Sequence, residues 1–317
     1  MSKALGFLFA GLSFITSLSP ATAQTCSGEA RGGIGRTSQS GLFLGDGSVA
    51  MRAKMNINID GSGRAYHPRN AEAGALIHLC NAGQIYLPDG SNYHGSESNT
   101  VCTGRFMNDF QLIRAAGWTN PSVGAIRWYG ILGTGTATIA GRRIDGVIPV
   151  ELSDGSGFFV SPTSLQRVPR PGEGRLDPRN QDTYVDPLVV PAAVIPTSPL
   201  LTQTGVRLGS FGVAVHVQKG IATPFVVGDI GPRVGEGSLA LARLVNGLPM
   251  PTEITRKQRY EGQVEKPDIL WVFFGNNQPT DPYDPNKVFQ AARSAFENWG
   301  GEDRLRACLA NNRIPIN

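Results

Sequence analysis

Several residue types that mark common protein classes are scarce in this chain of 317 residues. Only 17% of the residues are charged, and the lysines and arginines are scattered rather than clustered beside aromatic residues, which argues against nucleic-acid binding. Beyond the N-terminal segment, no stretch reaches the roughly 18 consecutive apolar residues of a membrane span. The four cysteines and four histidines include no C-x-x-C pair and no paired histidines, so the sequence predicts neither a metal site nor a cofactor.

The N-terminus has the features of a secretory signal peptide. Lys3 supplies a positive charge, residues 4–18 form an apolar run without charges, and a small-x-small cleavage site ends at Ala23. We therefore expect a signal peptide over residues 1–23 and a secreted protein, extracellular or periplasmic, that has no membrane attachment after cleavage.

The even number of cysteines predicts two disulfides, because the signal peptide directs the chain to an oxidising compartment. Four cysteines allow three pairings. We favour Cys80–Cys102 as a local link and Cys26–Cys308 as a clamp between the two ends of the chain.

The composition favours β structure, since 40 glycines and 22 prolines are typical of short strands separated by turns. We expect an irregular N-terminal segment over residues 24–46 and a β-barrel-like domain over residues 47–276. A helical pattern of apolar residues predicts a C-terminal helical extension over residues 277–317, with Phe296 and Trp299 as packing residues.

Local patterns place individual elements within this domain. Residues 49–61, VAMRAKMNINIDG, alternate as a strand that ends in an Asp-Gly turn. Lys219-Gly220 predicts a hairpin between two strands. The segment SLALARLVNG predicts a helix, with Ser238 as the N-cap and Gly247 after its end.

Two acidic residues stand out in the segment VVGDIGPRVGEGSLALARL, residues 226–244. Asp229 ends an apolar strand, where burial raises a carboxyl pKa and hydrogen bonds to the charged form lower it. Glu236 precedes a helix whose dipole favours the charged carboxylate. Two carboxyl groups in different surroundings can act as general acid and general base, as in glycoside hydrolysis. From the spacing alone we favour a structural explanation, a turn at Asp229 and a helix cap at Glu236.

Residues 212–244 resemble glycoside hydrolase family 75, the fungal-type chitosanases. That family has Gly-Asp-x-Gly-Pro at the end of a strand and then Gly-Glu-x-Ser at the start of a helix, found here at 228–232 and 235–238. The segment Tyr184-Val185-Asp186 is similar to the family's Tyr-Val-Asp. The resemblance covers roughly residues 47–275 and is most specific around residues 182–240.

The resemblance implies a secreted, endo-acting hydrolase that cleaves β-1,4-linked glucosamine polymer (chitosan) with inversion. Asp229 and Glu236 match the family's catalytic pair. We assign Glu236 as general acid and Asp229 as general base, although a helix N-terminus would oppose the raised pKa that an acid needs. Asp60, Tyr184 and Asp186 are candidates for substrate binding, although for Asp60 we favour turn chemistry over a substrate contact. The expected partner is a polysaccharide, bound by a monomer.

The Asp-x-Gly-Pro turn before a helix is also similar to the double-psi β-barrel of rare lipoprotein A, expansins and some endoglucanases. We therefore expect a mainly β fold, with a six-stranded double-psi-like β-barrel core, added strands and C-terminal helices. Ser210 stands where an acidic residue is common in the family, and the net charge is +4. Both features favour an alternative, a hydrolase or lytic enzyme on another cell-wall glycan such as peptidoglycan. A second alternative is a non-catalytic wall-binding barrel.

Overall fold

The computed structural model of the chain describes residues 25–251, 253–275 and 280–317. The predicted signal peptide, residues 1–23, lies outside these residues. Within the described ranges, no helix combines the length and the hydropathy needed to cross a membrane. The described strands are β1 (Gly28–Ile34), β2 (Gln39–Leu44), β3 (Val49–Asn58), β4 (Gly83–Tyr86), β5 (Asn92–His94), β6 (Ala125–Trp128), β7 (Gly133–Ile139), β8 (Arg142–Pro149), β9 (Ala192–Pro196), β10 (Phe211–His216), β11 (Ile221–Gly231), β12 (Glu236–Ser238) and β13 (Val264–Phe273). The described α-helices are α1 (Phe106–Ala115), α2 (Pro199–Gln203), α3 (Leu239–Val245), α4 (Val288–Trp299) and α5 (Gly301–Leu309).

Six strands close into a β-barrel in the order β3, β12, β9, β11, β10, β13 and back to β3. The β9–β11 and β3–β12 pairs are parallel, and the other pairs of the ring are antiparallel. Strand β3 alternates as predicted, with Met51 and Met55 buried and Arg52 partly exposed. The predicted mainly β fold with a closed six-stranded barrel, added strands and C-terminal helices is confirmed.

Inside the barrel, aromatic side chains pack against one another. Trp271 and Phe273 of β13 are fully buried, and both contact the ring of Phe225 on β11 at centroid distances of 5.8 and 5.4 Å. Burial of rings of this size contributes much of the stabilisation of a core. The barrel interior is therefore a packed core rather than a channel.

The N-terminal segment, residues 24–46, was expected to be irregular, and this expectation is wrong for the described part. β1 and β2 pair as an antiparallel hairpin, and β2 continues onto β3. The glycines that suggested an irregular segment serve close packing instead. A Cβ at Gly28 would lie 2.1 Å from the Phe43 carbonyl oxygen, so only glycine fits at that point of the hairpin.

The elements predicted around the acidic residues form as expected. Gly220 has a φ of 68° in the hairpin between β10 and β11. Ser238 caps α3, because its side chain accepts a hydrogen bond from the backbone N–H of Leu241. Gly247 follows this helix with a φ of 70°.

The C-terminal helices pack directly on the barrel, and helix α4 lies against β10 and β11. Phe296 and Trp299 are buried as predicted, and the indole Nε1 of Trp299 donates to the hydroxyl of Ser48 at 2.9 Å. Arg304 of α5 forms an ion pair with Asp46 at 2.7 Å. The helical extension therefore shares a core with the barrel.

Both predicted disulfides are present. The Cys26–Cys308 disulfide joins the segment just before β1 to helix α5, and its two cysteines are 282 positions apart in the sequence. Cys80–Cys102 links two neighbouring segments that precede α1, across 22 positions. The two bridges account for the described cysteines, none of which is free.

Candidate active site

Asp229 lies near the end of β11, where the register against β9 shifts between Val227 and Asp229. Its Oδ1 atom accepts three hydrogen bonds, from the backbone N–H and the hydroxyl of Ser164 at 2.9 and 2.7 Å, and from the N–H of Ile230 at 2.9 Å. Burial raises the pKa of Asp229, and these hydrogen bonds oppose that rise because they favour the charged form. Asp229 is therefore a half-buried carboxyl group whose charged form is well supported.

Glu236 is the first residue of β12, which is inserted between β3 and β9. Burial is the main cause that raises its pKa; the negative charge of Asp229 adds to the rise, and Arg233 and Lys54 oppose it. The helix α3 begins at Leu239, and its first turn is capped by Ser238. The expectation that a helix N-terminus favours the charged form of Glu236 is therefore not met, since burial dominates and the pKa is raised.

The Glu236 carboxyl group faces the turn that follows Asp229. A Cβ placed on Gly231 would lie 4.0 Å from Glu236 Oε2. No side chain or backbone group of the described residues donates a hydrogen bond to this carboxyl group. The two acids of the predicted pair are thus neighbours with different hydrogen bonding.

Asp60 follows β3 and is the third carboxyl group of this region. Its Oδ1 accepts a hydrogen bond from the Tyr66 hydroxyl at 2.8 Å; the Ser161 hydroxyl, which donates to the Gly130 carbonyl at 2.9 Å, lies 3.4 Å from the same atom. Burial and the charges of Asp229 and Glu236 raise the pKa of Asp60 to about 8, against the lowering effect of the two hydroxyls. With this pKa, Asp60 holds its proton between about pH 4 and about pH 8, where an ordinary aspartate is charged.

A small cavity of about 20 Å³ connects the Asp60 and Asp229 side chains. This volume is enough for about one water molecule, which occupies roughly 10–15 Å³ by the same measure. The polar part of its wall also includes Asn58, and the rest is largely apolar, with Val185 and Val194 among its residues. In the described part of the chain, no group of three or more acidic, histidine or cysteine side chains could hold a metal ion.

Tyr184 and Asp186 were both predicted to bind substrate, but their hydrogen bonds are made to nearby backbone groups of the protein. The ring of Tyr184 is buried, and its hydroxyl donates to the Pro178 carbonyl at 2.7 Å, so this ring offers no face for sugar stacking. Asp186 Oδ1 accepts the N–H of Leu188 at 2.9 Å in a turn. The neighbours of Asp186 on either side line the cavity. Asp186 therefore shapes the wall behind the acids.

The sequence did not point to the residues that support the three acids. Ser164 and Tyr66 hold Asp229 and Asp60 respectively. Tyr129 is half-exposed, and its charge interaction with Asp60 places it beside the site. A Cβ on the next residue, Gly130, would lie 3.1 Å from Asp60 Oδ1. No local pattern marks these residues, because Ser164 and Asp229 are 65 positions apart.

Comparison of the chain with models of known protein families and with curated protein sequences finds no match. The fold and the site nevertheless define a class of protein. This class is a closed six-stranded β-barrel that carries three partly buried carboxyl groups. They belong to Asp60 after β3, Asp229 near the end of β11 and Glu236 at the start of β12. Carboxyl groups of unequal proton affinity can together donate one proton and accept another.

Proposed function

We propose that this protein is a secreted, endo-acting glycoside hydrolase that cleaves β-1,4-linked glucosamine polymer with inversion. The observation that carries the proposal is the contrast between Asp229 and Glu236. Asp229 accepts three hydrogen bonds, whereas the described residues donate none to Glu236, although burial raises both pKa values. Neighbouring carboxyl groups in different surroundings can divide the roles of general acid and general base, as an inverting glycosidase requires.

Each acid takes the role that suits its surroundings. Neutral Glu236 donates its proton to the glycosidic oxygen as the bond to the anomeric carbon breaks. Charged Asp229 accepts a proton from a water molecule, whose oxygen attacks the anomeric carbon from the opposite face. The products are a free hydroxyl on the leaving sugar and a new reducing end of inverted configuration. Transfer of the proton from Asp229 to Glu236 through solvent restores the enzyme.

The surroundings of the acids support a cationic amino-sugar substrate. Charged Asp229 supplies a negative charge that attracts the ammonium groups of glucosamine units, even though the chain as a whole has a net charge of +4. The half-exposed ring of Tyr129 lies beside Asp60 and offers an apolar face to a sugar ring. Tyr129 takes a sugar-stacking role, for which the buried ring of Tyr184 is unsuited.

A second candidate is a hydrolase or lytic enzyme on peptidoglycan, which carries carboxylates. The observation that favours it is the presence of cations beside the acids, since Arg233 and Lys54 both act on Glu236. Arg259 is also buried, and its guanidinium group donates to the Ile57 carbonyl at 3.4 Å. It lowers the pKa of Tyr66, and it forms no ion pair with a carboxylate of the described residues. These side chains fit an anionic group of a substrate better than an ammonium group.

Export fits this function, because polymeric wall glycans lie outside the cytoplasm. The two disulfides are typical of proteins from oxidising compartments. We therefore propose that the N-terminal segment directs export and that the mature chain acts outside the cytoplasm.

The test is to incubate the purified mature protein with chitosan of low acetylation and, separately, with peptidoglycan, and to measure new reducing ends and released muropeptides. Oligosaccharides from chitosan support the proposal. Muropeptides without action on chitosan favour the second candidate. Binding to either polymer without any cleavage would instead favour a non-catalytic wall-binding barrel.

A further inference from the structure

Asp60 has no part in a mechanism that uses only Asp229 and Glu236, yet the structure builds it into the same site. It lines the cavity that Asp229 also lines. The chain next to it is shaped for close contact, because Gly130 leaves no room for a Cβ between Tyr66 and Asp60. The hydroxyl of Ser161 donates to the Gly130 carbonyl at 2.9 Å and lies within 3.4 Å of Asp60 Oδ1. These contacts fix the position of the Asp60 carboxyl group.

The groups that face Asp60 provide no positive charge to balance an ionised carboxylate. The hydroxyl groups of Tyr66 and Ser161 lie next to the Asp60 carboxyl group, and Tyr129 approaches it from the segment after β6. Asp229 on β11 and Glu236 on β12 face it as acids. Arg259 lowers the pKa of Tyr66, and among the described residues no lysine or arginine forms an ion pair with Asp60.

We propose that Asp60 is a positioning residue that holds a proton throughout the reaction, and that its neutral form keeps Asp229 charged. This inference rests on the proposed glycosidase function and deepens it. A second negative charge beside Asp229, on a cavity for about one water molecule, would destabilise the charged base, since like charges in one site do not ionise together easily. A neutral Asp60 carboxyl group can instead donate its own hydrogen into the cavity while Oδ1 accepts from Tyr66.

The inference gives the site a defined response to alkaline pH. The pKa of Asp60 lies at about 8, so Asp60 loses its proton as the pH rises through this value. Activity that depends on neutral Asp60 then declines. An asparagine has the shape and hydrogen-bonding capacity of a neutral aspartic acid but never ionises.

The experiment compares Asp60→Asn with the wild type on a soluble glucosamine oligosaccharide, over a range from about pH 6 to about pH 9. The ratio of the two rates removes the titration of the substrate amines, which is common to both enzymes. We expect the ratio of the Asp60→Asn rate to the wild-type rate to rise about tenfold over this range. The matched control, Asp145→Asn on the exposed β7–β8 hairpin, should give a constant ratio. An Asp60→Asn ratio that stays equally low at every pH would mean that Asp60 works ionised and would overturn the inference.

Thermal unfolding tests the proton on Asp60 without any substrate. Between about pH 4 and about pH 8, the unfolded chain releases the Asp60 proton and the folded chain retains it, so wild-type stability falls relative to Asp60→Asn. We therefore expect the Tm of Asp60→Asn minus that of the wild type to increase across this window and to level off above it. A difference that does not change with pH would overturn the inference. Inactivity of the wild type on glucosamine polymer, with this increase present, would count against the proposed function alone.

Discussion

The hydroxyl of Ser164 donates a hydrogen bond of 2.7 Å to Oδ1 of Asp229, and the backbone N–H of the same residue donates a second bond of 2.9 Å to the same atom. One residue from a distant loop therefore holds the proposed base. Both bonds are strongest when Asp229 is charged, because a charged acceptor roughly doubles the strength of such a bond. The pair explains how a buried carboxyl group can remain ready to accept a proton.

Removal of the Ser164 hydroxyl should weaken the base. We expect Ser164→Ala to raise the pKa of Asp229, since one donor to the charged form is lost. The base must be ionised to act, so the acidic limb of the kcat/KM profile should move to higher pH. On the acidic side the loss should be about tenfold, from the typical energy of a hydrogen bond to a charged group.

A matched control is available on the surface. The hydroxyl of Ser156 donates to Asp154 at 2.6 Å in an exposed turn, so Ser156→Ala removes a similar bond away from the acids. Its pH profile should equal that of the wild type. An unchanged acidic limb in Ser164→Ala would show that Asp229 is not the base whose ionisation limits the reaction.

Tyr129 should contribute to substrate binding through its ring. We expect Tyr129→Ala to raise KM roughly three- to tenfold with little change in kcat, and Tyr129→Phe to stay close to the wild type. Phe289 on α4 is exposed to nearly the same extent, 49% against 50%, so Phe289→Ala serves as the control. Equal KM values for Tyr129→Ala and Phe289→Ala would exclude a sugar contact at Tyr129.

The Cys26–Cys308 disulfide should contribute to stability more than to activity. It joins the N-terminal hairpin region to α5, and its two cysteines are 282 positions apart, so its loss frees a very long loop in the unfolded chain. We expect the Cys26→Ser/Cys308→Ser double variant to lose about 2–5 kcal/mol in the free energy of unfolding. Denaturant titration measures this loss. A variant as stable as the wild type would mean that the Trp299 and Arg304 contacts hold the C-terminal helices by themselves.

Features fixed by local chemistry could be predicted from the sequence. Ser238 before an apolar helix signalled an N-cap, and Lys219-Gly220 signalled a hairpin, because each depends on a few adjacent residues. The even number of cysteines predicted two disulfides, and of the three possible pairings the one we favoured is present. The alternation of β3 placed its end, and hence Asp60, at a turn.

Features that depend on distant contacts could not be predicted. The β1–β2 segment was expected to be irregular because it is rich in glycine. In the structure Gly28 instead allows close contact between the two strands, and this contact depends on the partner strand. The pKa of Glu236 depends on burial between β3 and β9, two strands that are far apart in sequence. For the same reason Tyr184 was expected at the substrate, whereas tertiary packing buries its ring.

The central claim is that Asp229 and Glu236 work as an acid–base pair on a glycan. The most direct measurement follows the first product from low-acetylation chitosan by proton NMR, for the wild type, Asp229→Asn and Glu236→Gln at mildly acidic pH. The account predicts new reducing ends in the α configuration from the wild type and a loss of at least about 100-fold in each variant, with folding retained. Wild-type activity in either variant, or an initial β product, would contradict it.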